Sequence, residues 1–237
     1  MRIIFIRHGD PDYSIDSLTE KGFREAKLLS ERVKNWKVDA AFVSPLGRAR
    51  DTASFSLEKL NMKATTCDWL REFDYSVLHE EEERVKVPWD FYPETWTKYE
   101  NSFDKDKWTD IPILNNPDLK GGNEKVKNGI DGILKEYGYT RYGNFYKSDG
   151  TGKDKTIVCF CHLGVICVIL GHLLNVSPVV LWHGLFLAPT SVTVGAFEER
   201  TKDHAYFRLQ AVGDTRHLTE NGEPVSSAGY FTDTFMG

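Results

Sequence analysis

The sequence predicts a single α/β domain spanning residues 1–237. Short apolar strands alternate with amphipathic helix patterns along the chain, as they do where helices cover a sheet. The length of 237 residues and the apolar content of 41% allow one sizeable core. Three polar segments directly follow a predicted strand, which is where α/β sheets place their ligand sites.

The N-terminal third is predicted to form two strands and two helices. The strands are the apolar runs at 3–6 and 40–43. Thr19 is a favourable N-cap, so the first helix is expected at about 19–34. The second helix follows the polar segment at 44–49. The core-facing positions are Phe23, Ala26, Leu29 and Val33 in the first helix, and Ala49, Ala53, Leu57 and Leu60 in the second.

The C-terminal half continues the alternation of strands and helices. A Gly-, Tyr- and Lys-rich stretch at 138–155 interrupts it and is expected to be an exposed loop. The predicted elements are a helix at 124–137, a strand at 156–160, a helix at 163–174 that ends near Asn175 and Pro178, and strands at 191–197 and 206–212.

Residues 77–120 are predicted to form an insertion over the carboxyl edge of the sheet, because the composition changes there. An acidic run at 80–83 is expected to be a solvated face. The aromatic residues of the insertion could form a lid that selects the leaving group, or a satellite core that packs for its own sake. These residues are Trp89, Phe91, Tyr92, Trp96, Tyr99, Phe103 and Trp108.

The charge balance argues against two classes of partner. The chain has 30 Lys and Arg against 35 Asp and Glu and no basic block, so neither nucleic acid nor a membrane surface is an expected partner. The most apolar run, at 165–170, is much shorter than the roughly 20 residues of a membrane span. The first residues lack the apolar core of a secretory signal, which predicts a cytoplasmic protein.

The cysteines predict buried, reduced thiols and no metal site. Cys159 and Cys161 share one face of a strand, whereas His162 begins on the other. A second Cys or His pair at zinc spacing is missing from the sequence, as Cys67 and Cys167 stand apart. We therefore expect no metal site at these cysteines. A cofactor is not expected either, since two arginines and a histidine can supply the positive charge that a metal ion supplies elsewhere.

Four segments carry the residues that could take part in a reaction. Arg7-His8-Gly9 ends the first strand, the segment 44–49 contains Arg48, Leu70-Arg71-Glu72 supplies a carboxylate, and Cys161-His162 ends a later strand. A neutral imidazole nitrogen can attack phosphorus, and a guanidinium can hold phosphoryl oxygens with its planar set of donors. Together they predict phosphoryl transfer through a phosphohistidine.

With these segments in this order, the chain resembles the histidine phosphatase superfamily, also called the phosphoglycerate mutase-like family, over most of its length. Residues 18–22 resemble the start of the family's first helix, and Gly121-Gly122-Asn123-Glu124 resembles a Gly-Gly-Glu-Ser segment that opens a later helix. The resemblance implies a three-layer α/β/α sandwich with a mostly parallel sheet, and an insertion over the active site. Pro11 and Leu163 depart from the family pattern, which has Thr or Ser at the first position and glycine at the second.

The resemblance also implies roles for particular residues. His8 is expected to be the nucleophile, with Gly9 leaving room for its ring. Glu72 is expected to protonate the leaving group and then to activate water. The residues expected to bind the phosphoryl oxygens are Arg7, Arg48 and His162, with Gly9, Leu163 and Ser14 as further contacts. His162 is also expected to be catalytic, as a further positive donor when it is protonated.

Glu72 has alternatives. A surface glutamate paired with Arg71 or a lysine would look the same in the sequence. Asp74 and Glu80 could then supply the acid.

Three functions are compatible with these residues. The favoured one is metal-independent hydrolysis of a small phosphorylated metabolite. The alternatives are a phosphoglycerate mutase and, with less support, a non-catalytic module that binds phosphorylated ligands. Mutases of the family extend Leu-x-Glu with Arg-His-Tyr-Gly, whereas residues 73–76 here read Phe-Asp-Tyr-Ser. The oligomeric state is open, and a homodimer is conceivable.

Overall fold

The computed structural model describes residues 1–79, 84–201 and 203–234. The acidic run at 80–83 and its expected role as a solvated face lie outside the described residues, as does Glu80. The strands are β1 (Arg2–Arg7), β2 (Pro11–Asp12), β3 (Ser17–Leu18), β4 (Ala40–Val43), β5 (Ala64–Thr66), β6 (Val77–His79), β7 (Arg84–Lys86), β8 (Tyr139–Tyr142), β9 (Phe145–Ser148), β10 (Thr156–Cys161), β11 (Val192–Thr201) and β12 (His204–Asp214). The α-helices are α1 (Glu20–Val33), α2 (Gly47–Leu60), α3 (Pro93–Trp96), α4 (Pro117–Glu136), α5 (Leu163–Leu174), α6 (Pro178–Gly184) and α7 (Arg216–Thr219).

The main sheet has eight strands in the order β5-β4-β10-β1-β11-β12-β9-β8. The first four are parallel, and the pairings from β1 to β8 are antiparallel. The α/β class is confirmed, but the sheet is mixed, and the expected parallel arrangement holds for its first half. In the second half, β8 pairs with β9 and β11 pairs with β12 in antiparallel fashion, because each of these pairs is joined by a connection too short for a crossover.

Helices cover both faces of the sheet, which gives the expected three layers. Alternate side chains of β1 point to opposite faces. Ile4 and Ile6 pack with Leu29 of α1 and Ala53 of α2. On the other face, Ile3 and Phe5 belong to the core formed with α4, α5 and α6. The site residues at the ends of the central strands are therefore held by two packed layers.

The helix boundaries follow local signals where these are strong. α1 is capped by the Thr19 side chain, which accepts from the Gly22 N–H. α5 spans Leu163–Leu174, as predicted, and ends at Asn175 in the left-handed conformation. α4 begins earlier than predicted, because Asn116 caps it and Pro117 occupies its first turn. The Gly121-Gly122-Asn123-Glu124 segment thus lies inside α4 and does not open it.

The stretch at 138–155 was expected to be an exposed loop, and that expectation is wrong for residues 139–148. β8 and β9 form a hairpin there, which extends the sheet beyond β12. Tyr139 and Tyr146 are 0% and 1% exposed, so the hairpin contributes large side chains to the core. Aromatic residues stand on both strands, and the turn between them contains Gly143 with a positive φ of 60°, a conformation that favours glycine in a tight hairpin turn.

The insertion at 77–120 packs onto the main core and does not form a separate one. It contains the β6–β7 hairpin, α3 and three short 3₁₀ turns. Phe91 and Trp108 are buried in the same cluster as Phe73 and Leu163. Tyr92 and Phe103, by contrast, are more than half exposed. The insertion therefore reaches from the core to the surface beside helix α5.

Within the described part of the chain, no helix combines the length and the apolar character needed to cross a bilayer.

Candidate active site

The polar segments converge because β4, β10 and β1 are neighbouring parallel strands whose carboxyl ends meet at one edge. The His8 N–H donates to the Cys161 carbonyl at 2.9 Å, and the Ser44 N–H donates to the Phe160 carbonyl at 2.9 Å. The centroids of the His8 and His162 rings are 5.1 Å apart. Both histidines are buried, at 2% and 0% exposure.

The hydrogen bond of His8 determines which ring nitrogen can react. Nδ1 lies 2.7 Å from the Gly9 carbonyl oxygen, which can only accept, so Nδ1 carries the proton. Nε2 is then left with its lone pair. Burial, followed by the charges of Arg7 and Arg48, holds the pKa of His8 well below its usual range. The imidazole is therefore neutral at pH 7, as a nucleophile must be.

His162 is anchored through one ring nitrogen. Its Nε2 lies 2.7 Å from the Ser44 hydroxyl, and its Nδ1 has no partner among the described residues. Burial is the main cause that lowers the pKa of His162 well below its usual range, and the charges of Arg48 and Arg7 act in the same direction. Its Nδ1 is thus a ring nitrogen available to a ligand at the end of β10.

Arg7 is held by two carbonyls from distant parts of the chain. Its Nη1 donates to Leu187 at 2.7 Å, and its Nη2 donates to Ala228 at 3.0 Å. Its Nε is buried and has no partner within the described residues. The side chain is therefore fixed in direction and retains a donor for an anion.

Arg48 lies in the first turn of α2. Its Nη1 donates to Asp16 at 2.6 Å, and the other Asp16 oxygen accepts the Gly47 N–H at 2.7 Å. The Tyr13 ring lies over the guanidinium, with its centroid 5.3 Å from the Arg48 Cζ. The Nε of Arg48 is buried and has no partner in the described structure. A second arginine donor and a helix N-terminus thus lie near the histidines.

Gly9 is required for a close approach between backbones. A Cβ at this position would lie 2.8 Å from the Gly22 carbonyl oxygen of α1. The Gly9 N–H donates to the Thr52 hydroxyl at 2.8 Å, and Thr52 donates to the Arg48 carbonyl at 2.7 Å. The loop after His8 is therefore fixed to both α1 and α2.

Glu72 lies against the N-terminal end of α5. Its Oε1 accepts from the Phe73 N–H at 2.8 Å and from the Val165 N–H at 3.1 Å. Burial nevertheless raises the pKa of Glu72 above its usual value, since removal from water opposes the charge more than these bonds favour it. The raised pKa favours the protonated carboxyl, which is the form that can donate a proton.

Two further candidates lie in different surroundings. Ser14 is exposed, and its hydroxyl donates to Asp12 at 2.5 Å within the β2–β3 hairpin. Leu163 is the first residue of α5 and lines a cleft beside the insertion. The structure brings together six of the predicted site residues, namely His8, His162, Arg7, Arg48, Gly9 and Glu72. Leu163 lies at the edge of this group, and Ser14 bonds to Asp12 instead.

Ser44, Thr52 and the C-terminal segment (residues 222–234) have contacts at the site that sequence analysis missed. Ser44 is the first residue of the Ser-Pro-Leu-Gly-Arg-Ala motif and directly follows a predicted strand, so its position in the sequence is a signal for a site residue. The carbonyl of Ala228 carries no side-chain signal at all. Within the described residues, no group of three His, Cys, Asp or Glu side chains is arranged to hold a metal ion.

Comparison with known proteins adds family information. The family model described as Histidine phosphatase superfamily (branch 1) matches residues 3–138. A probable phosphatase of Schizosaccharomyces pombe is 26% identical over 233 residues, which cover 92% of this chain and 95% of that protein. The 2,3-bisphosphoglycerate-dependent phosphoglycerate mutase 1 of Arabidopsis thaliana is 29% identical over 150 residues, 60% of this chain. That match spans only 38% of the Arabidopsis protein.

Solved structures show the same fold. A mutant phosphoserine phosphatase of Entamoeba histolytica, in complex with phosphoserine, superimposes with a TM-score of 0.60 and 19% identity, covering 92% of this chain and 98% of the other. The mycobacterial glucosyl-3-phosphoglycerate phosphatase gives a TM-score of 0.59 at 17% identity, covering 90% and 98%.

Proposed function

The chain belongs to the histidine phosphatase superfamily, branch 1, and from that premise we propose that it is a metal-independent phosphomonoester hydrolase acting through a phosphohistidine at His8. Membership in this family of phosphatases and mutases makes it an enzyme of phosphoryl transfer. The proposal adds the choice of water as acceptor, the roles of individual residues and a small phosphorylated metabolite as substrate.

The observation that carries the proposal is the state of His8. A buried imidazole with Nδ1–H donated to Gly9 and a lowered pKa offers Nε2 as a neutral nucleophile. The donors of Arg7 and Arg48 and the Nδ1 of His162 are the groups that would contact the phosphoryl oxygens. Preorganised donors of this kind stabilise the charge that develops in a phosphoryl-transfer transition state.

In the first step, Nε2 of His8 forms a bond to phosphorus as the bond between phosphorus and the leaving-group oxygen breaks. The leaving oxygen takes the proton of the Glu72 carboxyl and departs as an alcohol. The raised pKa of Glu72 supports this assignment, because the carboxyl must be protonated before reaction.

In the second step, water attacks the phosphorus of the phosphohistidine. Its oxygen bonds to phosphorus, one of its protons passes to the Glu72 carboxylate, and the bond between Nε2 and phosphorus breaks. Inorganic phosphate leaves, His8 returns to its neutral form with the proton on Nδ1, and Glu72 is protonated again.

We further propose which domain carries the reaction and in which compartment it takes place. One domain of residues 1–237 would carry the site, with the insertion at 77–120 beside it. A cytoplasmic location is supported by four free cysteines, because disulfides are rare in reducing compartments. The substrate is the one partner that the proposal requires.

Phosphate release tests the proposal. p-Nitrophenyl phosphate, other phosphomonoesters and 3-phosphoglycerate are offered to the wild type and to His8→Ala in the presence of EDTA. We expect release by the wild type and a loss of at least about 10³-fold in His8→Ala. His204→Ala, whose exposed ring stacks on Phe145 at 5.0 Å, is the matched control and keeps its activity.

Two results would contradict hydrolysis. Release that survives in His8→Ala excludes a phosphohistidine at that residue. NMR monitors the conversion of 3-phosphoglycerate to its 2-phospho isomer. Conversion without phosphate release would identify a mutase instead.

A further inference from the structure

A cleft of about 870 Å³ lies between the insertion and the C-terminal segment. Most of its lining side chains are aromatic. Its volume falls within the usual range for small-molecule sites, and it exceeds what a three-carbon metabolite fills. The aromatic lining includes Trp89, Tyr92, Trp182, Phe186, Tyr230 and Phe231.

The inner end of this cleft meets the catalytic groups. Leu163, which lines it, directly follows His162. A Cβ on Gly164 would lie 2.3 Å from the Trp89 ring and 2.6 Å from Oε1 of Glu72, so that ring and that carboxyl approach the same point. The proton donor for the leaving group therefore lies beside an aromatic wall of the cleft.

A second wall begins next to Arg7. The rings of Phe186 and Tyr230 stack with centroids 4.3 Å apart and an interplanar angle of 10°. The Arg7 Cζ lies 6.0 Å from the centroid of the Phe186 ring. Phe231, the next residue outward, is 97% exposed. A flat aromatic surface thus leads from the phosphate-binding arginine to the mouth of the cleft.

The charge of the cleft excludes one class of leaving group. Among the described residues that line it, Asp90 is the one Asp, Glu, Lys or Arg side chain. His183 also lines it, and burial lowers the pKa of its ring, which is consequently neutral. Among these lining side chains a carboxylate on the leaving group would meet Asp90 and no Lys or Arg, and like charges repel.

We propose that this cleft binds the leaving group and that the preferred substrates are phosphomonoesters of neutral or cationic alcohols that carry an aromatic ring. The proposal rests on the hydrolytic function proposed above and adds the substrate class. Rings stack favourably on Tyr, Phe and Trp, and the cleft places such side chains on both of its sides.

Three substrates with similar alcohol leaving groups test the class. Benzyl phosphate carries a neutral ring, n-propyl phosphate carries no ring, and 4-carboxybenzyl phosphate carries a ring with a carboxylate. We expect kcat/KM for benzyl phosphate to exceed that of each of the others by at least about tenfold, the scale on which pocket contacts discriminate.

Variants then assign the preference to this cleft. Tyr230→Ala is expected to reduce the ratio of kcat/KM for benzyl phosphate to kcat/KM for propyl phosphate. Asp90→Asn is expected to raise kcat/KM for 4-carboxybenzyl phosphate selectively. Tyr206→Ala is the control, because Tyr206 is an exposed aromatic residue of β12 outside the cleft lining.

The outcomes separate this inference from the hydrolytic function. Equal kcat/KM for benzyl and propyl phosphate, or a benzyl preference that Tyr230→Ala leaves intact, overturns the ring-binding role. An Asp90→Asn variant that still rejects the carboxylate overturns the charge argument. If no phosphate is released from any of these substrates or from p-nitrophenyl phosphate, the hydrolytic proposal itself fails.

Discussion

The Ser44 hydroxyl lies 2.7 Å from Nε2 of His162, and the two residues are 118 positions apart in the chain. Ser44 is fully buried and also accepts the Leu46 N–H at 3.3 Å. The hydroxyl thus links the start of the segment that carries Arg48 to the ring that would face the phosphoryl group. We interpret Ser44 as a positioning residue that keeps Nδ1 of His162 directed to the substrate.

Ser44→Ala is expected to lower kcat roughly tenfold, equivalent to the loss of about 1.4 kcal/mol from one buried hydrogen bond. The ¹⁵N chemical shifts of the His162 ring should change with it, because the tautomer is no longer held. Ser56→Ala removes a buried hydroxyl of α2 that has no partner in the described residues, and serves as the control. Unchanged ring shifts in Ser44→Ala would argue against this role.

Glu72→Gln should separate the two steps of hydrolysis. p-Nitrophenolate leaves without a proton, so His8 is still phosphorylated, but water is no longer activated. We expect a burst of about one nitrophenolate per active site, and a decrease of about 10²–10⁴-fold with alkyl phosphates. Stopped-flow absorbance measures the burst. Glu124→Gln, on the exposed side of α4, should behave as wild type, and equal losses for both substrates without a burst would contradict the assignment.

The pH profile of kcat/KM should be shifted to the acid side. His8 must be neutral, and its pKa is well below 6.5, so activity should persist as the pH falls through that value. Glu72 must be protonated, so activity should fall as the pH rises through its raised pKa. The profile is corrected for the second ionisation of the substrate, near pH 6. An acidic limb that remains at pH 6.5 after correction would mean that burial does not depress the pKa of His8.

Glu25 should make the folded state less stable as the pH rises. Burial raises the pKa of this α1 carboxyl to about 7, although its Oε2 accepts the Asp10 N–H at 2.8 Å. Because the folded pKa is above the unfolded one, the folded state binds more protons between about pH 4.5 and 7, and stability decreases over that range by up to about 3 kcal/mol. Glu25→Gln should abolish this decrease.

Urea unfolding at pH 5 and pH 8 measures the effect of Glu25→Gln. The variant should be more stable than wild type at pH 8, with a much smaller difference at pH 5. Glu31→Gln is an exposed control on the same helix. Its carboxylate pairs with Lys34 and Lys59, which lowers its pKa to about 2, and its replacement should not produce this gain at pH 8. A stability difference for Glu25→Gln that is independent of pH would contradict the prediction.

Local signals predicted much of the fold. The cap at Thr19 and the turn at Asn175 lie within a few residues of the helices that they limit, so the bounds of α1 and α5 agree with expectation. The hairpin around Gly143 was missed although the glycine and the aromatic residues on both sides of it are visible in the sequence. Its place as the last two strands of the sheet depends on the pairing of β9 with β12, which is distant in sequence.

In the candidate site, too, some residues could be identified from the sequence, whereas their contacts could not. His8 and His162 follow recognisable strands, and motifs identify Arg48 and Glu72 as candidates. The bonds of Ser44 to His162 and of Asp16 to Arg48 exist only once the sheet has assembled. The contact of Ala228 with Arg7 uses a backbone oxygen, which every residue has. No sequence pattern distinguishes that oxygen from its neighbours.

The anchoring of Arg7 also bears on when the protein can become active during its synthesis. The guanidinium bonds to carbonyls 180 and 221 positions further along the chain. Contacts so distant in sequence form late, because a large loop must close before they contribute. A growing chain can therefore have β1 and His8 in place while Arg7 still lacks its second anchor. Only after residue 228 has left the ribosome can Arg7, which we propose to bind the phosphoryl group, have both of its anchors.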